Sequence, residues 1–374
     1  MRKTFEYRIY PTRSQLTLLN EILEECRWVY NETLACRKNA WEIEKKSISL
    51  FDTNKILTAW KKERSSLNIV HSQTLQDVQT RVDLAFQHFF HRVKQGEDPG
   101  YPRFKGYGRY DSITYPQSGW KVNIEKRYVR LSKIGNLKTI FHRDIQGTIK
   151  TCSLRRSASG KWFISFSCEK ELKPLPHSDK AVGIDMGLTT FATYSDGTKI
   201  KNPRFFRAEE KNLAKVQRKL SAVDKSSPDR PKRKHSVSIV YERITNKRSD
   251  FAHKLSHQII NNYGIMCLED LNIKNMLKNH CLAKSIQDAS WDLLVTFITY
   301  KAEYAGREVM LVNPRDTSKR CSRCGILIQK SLNDRIHICT CCGLVLDRDI
   351  NASINILAIG LDRLGIKSLE AHDL

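Results

Sequence analysis

Four cysteines near the carboxyl end fall into two pairs, Cys321 with Cys324 and Cys339 with Cys342. Each pair has two residues between its members, and fourteen residues separate the pairs. Two intervening residues let both sulfurs face one ion, and Gly325 and Gly343, directly after each pair, permit the tight turn such a knuckle needs. Four thiolates suit Zn2+ in a closed tetrahedral site. An ion held that way supports structure and leaves no open position for a substrate, so any hydrolytic chemistry must lie elsewhere. The alternative is four reduced thiols without an ion.

Three acids are candidates for that chemistry. Asp185 ends the apolar run "VGID", Glu269 ends "IMCLE", and Asp349 opens a segment whose Ile350, Ile354 and Leu357 are spaced to face a core from a helix. Acids at the carboxyl ends of buried strands stand where α/β sheets place their sites. Carboxylates brought together repel one another unless cations intervene, and their hard oxygens suit Mg2+. Two such ions ~3.5–4 Å apart would activate a water and stabilise the leaving oxygen of a phosphodiester. Each acid also has a purely local reading: Asp349 or Asp347 as a helix cap, Asp185 in an Asx turn, and Asp270 in place of Glu269.

The charge balance points to a polyanionic partner, since 64 Lys and Arg stand against 40 Asp and Glu, a net +24. "GYPRFKGYGRY" interleaves Tyr101, Phe104, Tyr107 and Tyr110 with Arg103, Lys105 and Arg109, cations for phosphates and rings for stacking on single-stranded or structured RNA. A hydrophobic linker with snorkelling basic side chains is the alternative. No run approaches the ~18 apolar residues of a membrane span. The start "MRKTFEYRIYPTRSQ" has no apolar signal core, and the other seven cysteines are scattered singly, which together place the chain in a reducing cytoplasm.

The elements that carry these residues follow from periodicity. At 374 residues the chain exceeds the ~250–300 at which single cores stop growing, so several domains are expected. "FEYRIYP" alternates as one strand. A helix capped by Thr12 and Gln15 follows, with Leu16, Leu19, Leu23, Cys26 and Tyr30 on one face, and a second runs from about Ser72 to Lys94 with its stop at Gly96. From about Ser112 to Glu171 the short alternating segments "WKVNI", "YVRL", "TIKTCSL" and "KWFISFS" predict an antiparallel sheet or barrel. The first strand has no local neighbour, so the helices read as an insertion into that barrel. Prolines in "ELKPLPHSDK" place a boundary near 172–179. Beyond it "KAVGIDMGLTTFATYSDG" reads as two strands and residues 205–260 as helix on both sides of an exposed loop "KSSPDRPKRKHS". "YGIMCLED" and "REVMLVNP" are further strands. Between them "IQDASWDLLVTFITYKAEYAG" reads as one helix stopped by Gly306. Strands alternating with helices indicate an α/β layer fold.

Taken in order, "YRIYPTRSQ", "RWVYNETL", "GYPRFK", "GKWFISF", "GIDMGLTTFA", "NKRSDFAHKLS", "CLEDLNIKNM", "SIQDASW", "NPRDTSKRCSRCG" and "DRDINASINIL" resemble the TnpB family, transposon-encoded RNA-guided DNA endonucleases related to type V CRISPR effectors. The resemblance covers almost the whole chain. It implies a multidomain α+β and α/β protein: a split oligonucleotide-binding β-barrel, or wedge, at 1–10 and 108–178, with a helical recognition domain at 11–107. A RuvC-like nuclease domain of RNase H fold follows at 179–312 and 345–374, interrupted at 313–344 by a zinc ribbon that binds target nucleic acid. The family's three catalytic acids fall on Asp185, Glu269 and Asp349, with Asp347 second choice for the last. Ser353 stands where the family usually has alanine, and His337 where an aromatic is common.

The same resemblance implies Mg2+ or Mn2+ at the acids, Zn2+ at the cysteines and a transposon-derived guide RNA. The target is double-stranded DNA beside a short flanking motif, together with its displaced strand, bound by a monomer with RNA in a prokaryotic cytoplasm or nucleoid. Arg315, Lys319 and Arg320 would meet phosphates at the mouth of the ribbon, and Gln73 and Gln76 would read adenine edges of the flanking motif. The rival function is a nuclease-silent RNA-guided repressor of the same family, whose relatives commonly lack an acid or the cysteines. Both sets are present here. A protein-only resolvase or transposase would leave the barrel and the basic surface without a purpose.

Overall fold

The computed structural model describes residues 1–329, 331 and 334–366. The last part of the expected nuclease segment, 367–374, lies outside the described residues. Two compact units divide the chain, Met1–Glu171 and Leu172–Leu374.

The first unit is built around its earliest strand. Strand β1 (Arg2–Tyr10) buries Phe5, Tyr7 and Ile9 on one side, as its alternation dictates. Its hydrogen-bonding partners come from far along the chain, after β2 (Ser112–Tyr115), β3 (Trp120–Asn123) and β4 (Tyr128–Leu131). They are β5 (Gly135–Ile140) on one flank and, beyond β6 (Thr148–Arg156), β7 (Trp162–Glu169) on the other. The antiparallel order β2-β6-β7-β1-β5-β4-β3 curls into a nearly closed barrel-like sheet. Across its open seam, the Tyr115 hydroxyl donates to the Ser132 carbonyl at 3.0 Å. β2 and β5 carry little sequence signal: "GNLKTI" turns only Leu137 and Thr139 inward.

Between β1 and β2 lie α1 (Arg13–Glu44), α2 (Leu50–Glu63) and α3 (Ser72–Lys94). Thr12 and Gln15 form the reciprocal capping box, and Leu19, Leu23, Cys26 and Tyr30 are buried. Leu16 is only half-buried at the edge of this cluster. Helix α3 buries Leu75, Val78, Val82 and Phe86.

The second unit holds a five-stranded sheet. In chain order its strands are β8 (Ala181–Met186), β9 (Thr190–Tyr194), β10 (Lys199–Lys201), β11 (Ile265–Glu269) and β12 (Glu308–Val312), and in space β10-β9-β8-β11-β12. β8, β11 and β12 pair parallel, and β9 lies antiparallel between β8 and β10. The connecting helices are α4 (Phe205–Ser221), α5 (Arg230–Asn262), α6 (Ile273–Met276), α7 (His280–Ala289) and α8 (Trp291–Ala305). A hairpin of β13 (Ile336–Ile338) and β14 (Val345–Asp347) precedes α9 (Arg348–Arg363).

Side chains alternate across the parallel strands. Val182, Ile184, Met266 and Leu268 pack with Leu255 and Ile259 of α5 and with Leu294 and Ile298 of α8. Cys267 and Val312 meet Ile356 of α9 on the other face. Helix α9 lies close on that face because glycines meet it. A Cβ on Gly183 would run into the Ser353 carbonyl oxygen and come within 2.7 Å of the Leu357 amide nitrogen, and one on Gly360 would strike the Cys267 side chain.

Three expectations are corrected here. The charged run after Pro231 is helical: α5 begins at Arg230, with Pro231 in its first turn where no amide partner is needed, so the exposed break is confined to residues near Asp224–Asp229. The helix expected as one piece before Gly306 is two, broken at Ser290, which takes φ 53°. On α9 the buried stripe is Ala352, Ile356 and Gly360; of the residues expected to face the core, Leu357 packs against it while half-buried, and Ile350 and Ile354 stay half-buried, because close approach to the sheet selects small residues for the contact line. Among the described residues, no helix is long and apolar enough to cross a membrane.

Candidate active site and cysteine centre

Alternation on the strands decides where the acids point. Asp185 shares a side of β8 with Gly183, and Glu269 shares a side of β11 with Cys267, so both carboxylates leave the sheet on the face that α9 covers. The two strands are adjacent and parallel, with Ile184 opposite Leu268, which sets the two acids side by side at their carboxyl ends. Helix α9 crosses with Ser353 and Leu357 over Gly183, and its first turn carries Asp349 toward the same corner. The partially positive amino end of the helix favours a carboxylate there.

The electrostatics record this convergence. Burial pushes the Asp185 carboxyl up to about 8, and the charges of Glu269 and then Asp349 add to that rise, against a lowering by the Arg348 guanidinium. Burial likewise raises Glu269, opposed by the hydrogen bond that the Thr317 hydroxyl donates to its Oε1 at 2.6 Å. Arg348 reaches Asp349 Oδ1 through Nε at 3.0 Å and Nη2 at 2.9 Å. The second choices are placed otherwise. Asp347 caps α9, accepting from the Asp349 and Ile350 amides, and pairs with Lys199 at 2.6 Å. Although burial acts to raise it, that lysine and the amides hold its carboxyl below the usual range. Asp270 is exposed, and its amide continues the ladder to the Val312 carbonyl.

The four cysteines also come together. Their sulfurs lie within 4.8 Å of one another, with Cys321 to Cys342 at 3.6 Å and Cys324 to Cys339 at 3.5 Å. A tetrahedron of thiolates at ~2.3 Å from a central Zn2+ has edges of about 3.8 Å, so the set fits that ion. Two equivalent turns shape it. Gly325 and Gly343 donate to the Cys321 and Cys339 carbonyls at positive φ, and the Cys321 and Cys339 amides donate to Ile326 and Leu344. The backbone amides of Cys342 and Cys341 help to lower the Cys339 thiol, whereas burial and hydrogen bonds from neighbouring sulfurs act to raise Cys324 and Cys342.

Four further residues support the acids, and the sequence reading passed over all of them: Arg348, which holds Asp349, and Thr317, Asn351 and Asn355, which join Glu269 and α9 to the turn at the cysteines. Asn351 and Asn355 are buried one helical turn apart on α9. Their signal was present, a pair of amides at helical spacing inside the apolar run "INASINIL".

The residues expected to meet nucleic acid divide. Arg103, Lys105 and Arg109 are exposed, as are Tyr101, Phe104 and Tyr107. Tyr110 is not available for stacking: it is 5% exposed and packs on Tyr30. Gln76 is exposed on the first turns of α3, whereas Gln73 is half-buried and accepts from the Ser118 amide at 3.2 Å and hydroxyl at 2.9 Å. Arg315 and Arg320 are exposed and Lys319 half-buried on the turn that carries Thr317, with Arg315 and Lys319 each 3.7 Å from Asp316.

Comparison with known proteins agrees along the chain. A family model described as "Probable transposase", of the OrfB type of IS605, matches residues 164–280. A "Cas12f1-like, TNB domain" model matches 291–356, which contain the four cysteines and Asp349. A model described as "Helix-turn-helix domain" matches 1–46, where this chain has a strand and one continuous helix. A Streptomyces pristinaespiralis protein named "Putative RNA-guided DNA endonuclease" is 36% identical over 87% of this chain and 81% of its own length. The Escherichia coli K12 protein named "Putative RNA-guided DNA endonuclease InsQ" is 30% identical over 86% and 83%. Among solved structures, the Cas12f1–sgRNA–target DNA complex matches with a TM-score of 0.58 at 15% identity, over 95% of this chain and 98% of that one, a likeness of fold.

Proposed function

The chain belongs to the TnpB family of transposon-encoded RNA-guided DNA endonucleases, and from that membership we propose that Asp185, Glu269 and Asp349 are the catalytic acids of a RuvC-type nuclease. The observation that carries the assignment is the placing of Asp185 and Glu269 on one face of adjacent parallel strands, under the helix that begins at Asp349. A five-stranded sheet of three strands paired in parallel, extended on one side by two strands in antiparallel pairing, supports an RNase H-like core at 179–312 and 345–366, with the zinc ribbon at 313–344. The seven-stranded barrel supports an oligonucleotide-binding wedge at 1–10 and 108–178, with α1–α3 as the recognition insertion within 11–107.

Asp185 and Glu269 on adjacent strands, with Asp349 at the start of α9, offer hard oxygens that suit Mg2+ or Mn2+, although among the described residues they are not drawn as tightly together as the four sulfurs. When bound, such ions supply a water of lowered pKa and a stabiliser for the leaving oxygen of a phosphodiester. The chain's own groups do the rest. Asp185 and Glu269 fix the coordinating oxygens from a rigid sheet, and Asp349 closes the set from α9. Thr317 orients Glu269, and Arg348 keeps Asp349 in place. Pairing between a guide RNA and the target strand supplies sequence choice, and the protein reads only a short flanking motif and the shape of the heteroduplex. Arg103, Lys105, Arg109, Arg315, Lys319 and Arg320 are placed for phosphates, and Gln76 is better exposed than Gln73 for a base edge. The protein acts as a monomer with its RNA.

Purifying the chain with its bound RNA and presenting a plasmid library with randomised flanks tests this reading. Asp185→Ala, Glu269→Ala and Asp349→Ala each abolish cutting by several orders of magnitude while the same RNA co-purifies. Asp347→Ala, which removes a cap, costs about 1 kcal/mol of stability and far less activity. Full cutting by Asp185→Ala would sink the assignment, and a wild-type complex that binds its target without cutting would favour the repressor.

A further inference from the structure

The turn between β12 and the first thiolate pair is tied to both centres by buried polar contacts. Thr317 is 3% exposed, and its hydroxyl meets Glu269 Oε1 at 2.6 Å and the Pro314 carbonyl at 3.1 Å. Its own carbonyl accepts from Asn355 Nδ2 at 2.8 Å, and the same amide donates to the Arg320 carbonyl at 2.7 Å. Asn351 Nδ2 also reaches the Arg320 carbonyl, at 2.8 Å, while its Oδ1 accepts from the amide of Ser322, between Cys321 and Cys324. Both asparagines sit on the helix that begins at Asp349. Burying two amides and a hydroxyl is unfavourable unless each finds its partners, and a half-filled network would be worse than apolar packing. Packing alone gives no reason for these side chains, since leucine or valine would fill the same space.

We propose that Thr317 is a positioning residue for Glu269, and that Asn351 and Asn355 make its placement depend on the cysteine centre, so that folding of the thiolate knuckle sets the divalent-ion affinity of the acids. The inference rests on the reading of Glu269 as an ion ligand. One hydroxyl proton on Oε1 fixes the carboxylate rotamer and leaves Oε2 for an ion. Partners of ligating groups typically change metal affinity by about 10- to 100-fold when removed. The knuckle then acts on the chemistry through three side chains without entering it.

The test uses the full-length chain, zinc-loaded and free of RNA, with Mn2+ binding read by electron paramagnetic resonance and Asp185→Asn as the background. Thr317→Val keeps the shape and removes the donor. It weakens Mn2+ binding about 10-fold or more, with zinc content at its wild-type value, and Thr317→Ser restores the affinity. In the guided complex the Mg2+ concentration for half-maximal cutting rises in the same proportion. Should Thr317→Val melt early, Asn355→Ala carries the same test, because it leaves the hydroxyl and frees the Thr317 carbonyl, while the Arg320 carbonyl keeps its bond from Asn351; it too weakens Mn2+ binding while zinc is retained. Wild-type affinity in both variants, or a serine variant as weak as valine, overturns the inference. A wild-type chain that binds Mn2+ no better than Asp185→Asn overturns the acid-site reading instead.

Discussion

Of the three acids, Asp185 stands in the least favourable place for a charge. Its carboxyl is held at about 8 by burial and by the acids around it, whereas an unfolded chain would ionise it near ~3.9. Below the unfolded value both states are protonated and the residue is harmless. Between roughly pH 4 and 8 the unfolded chain releases a proton that the folded one keeps, so folding loses up to about 1.4 kcal/mol per pH unit as pH rises. In a chelator, Asp185→Asn therefore flattens the fall in unfolding midpoint between acid and neutral pH, and added Mg2+ raises the midpoint of the wild type but not of the variant. An unchanged slope would mean that Asp185 is solvated in the free protein. Asp347, two residues before Asp349, shows the reverse condition, with amides and Lys199 satisfying it. From sequence the two aspartates of "DRD" were separable only by resemblance, because the difference between them is one of direction, capping backward or facing the sheet.

Helix α9 brings its acid to the strands through an unusually close contact, and its glycines carry that contact. Gly183→Ala places a methyl against the Ser353 carbonyl, which is backbone and cannot swing aside. The helix must shift, at about 1–3 kcal/mol, and Asp349 moves with it. Thermal melting and cutting rate together check this: the variant melts lower and cuts more slowly even though none of the three acids has been changed, and unaltered cutting would show that Asp349 tolerates the displacement. Much of this arrangement was legible. "VGID" and "IMCLE" announce buried strands ending in acids, and Thr12 with Gln15 announces the start of α1. What escaped shares a cause. The break at Ser290 needs a left-handed residue that serine does not advertise, the helical "RPKRKHS" looks like a loop because Pro231 stands among charged residues, and Ile354 outranks Gly360 in hydropathy although Gly360 makes the contact. Apolar spacing reports which side chains avoid water and is blind to where two backbones must touch.

For the molecule as a whole the decisive quantity is its excess of cations, net +24 on 374 residues. Release of counterions from RNA should dominate its binding, so the logarithm of affinity falls linearly with the logarithm of salt, with a slope of about −0.7 per phosphate contacted on single-stranded segments. Arg103→Ala and Lys105→Ala each make that slope shallower by less than one unit, and filter binding across a salt series would read it. A flat response would exclude the exposed cations as the main source of affinity. Composition made the partner's charge legible, but Tyr110, aromatic and flanked by basic residues, proved to belong to the core. The barrel carries one more consequence, set by the order of synthesis. Its central strand is synthesised long before its partners, for Arg2 pairs with Glu169, at the far end of the unit. At about 5–20 residues per second, Phe5, Tyr7 and Ile9 wait roughly ten seconds or longer for their flanking strands. Through that interval both edges of the strand lack their ladder partners, and the apolar face of α1, made directly after it, is the first part of the same core that can cover Phe5, Tyr7 and Ile9.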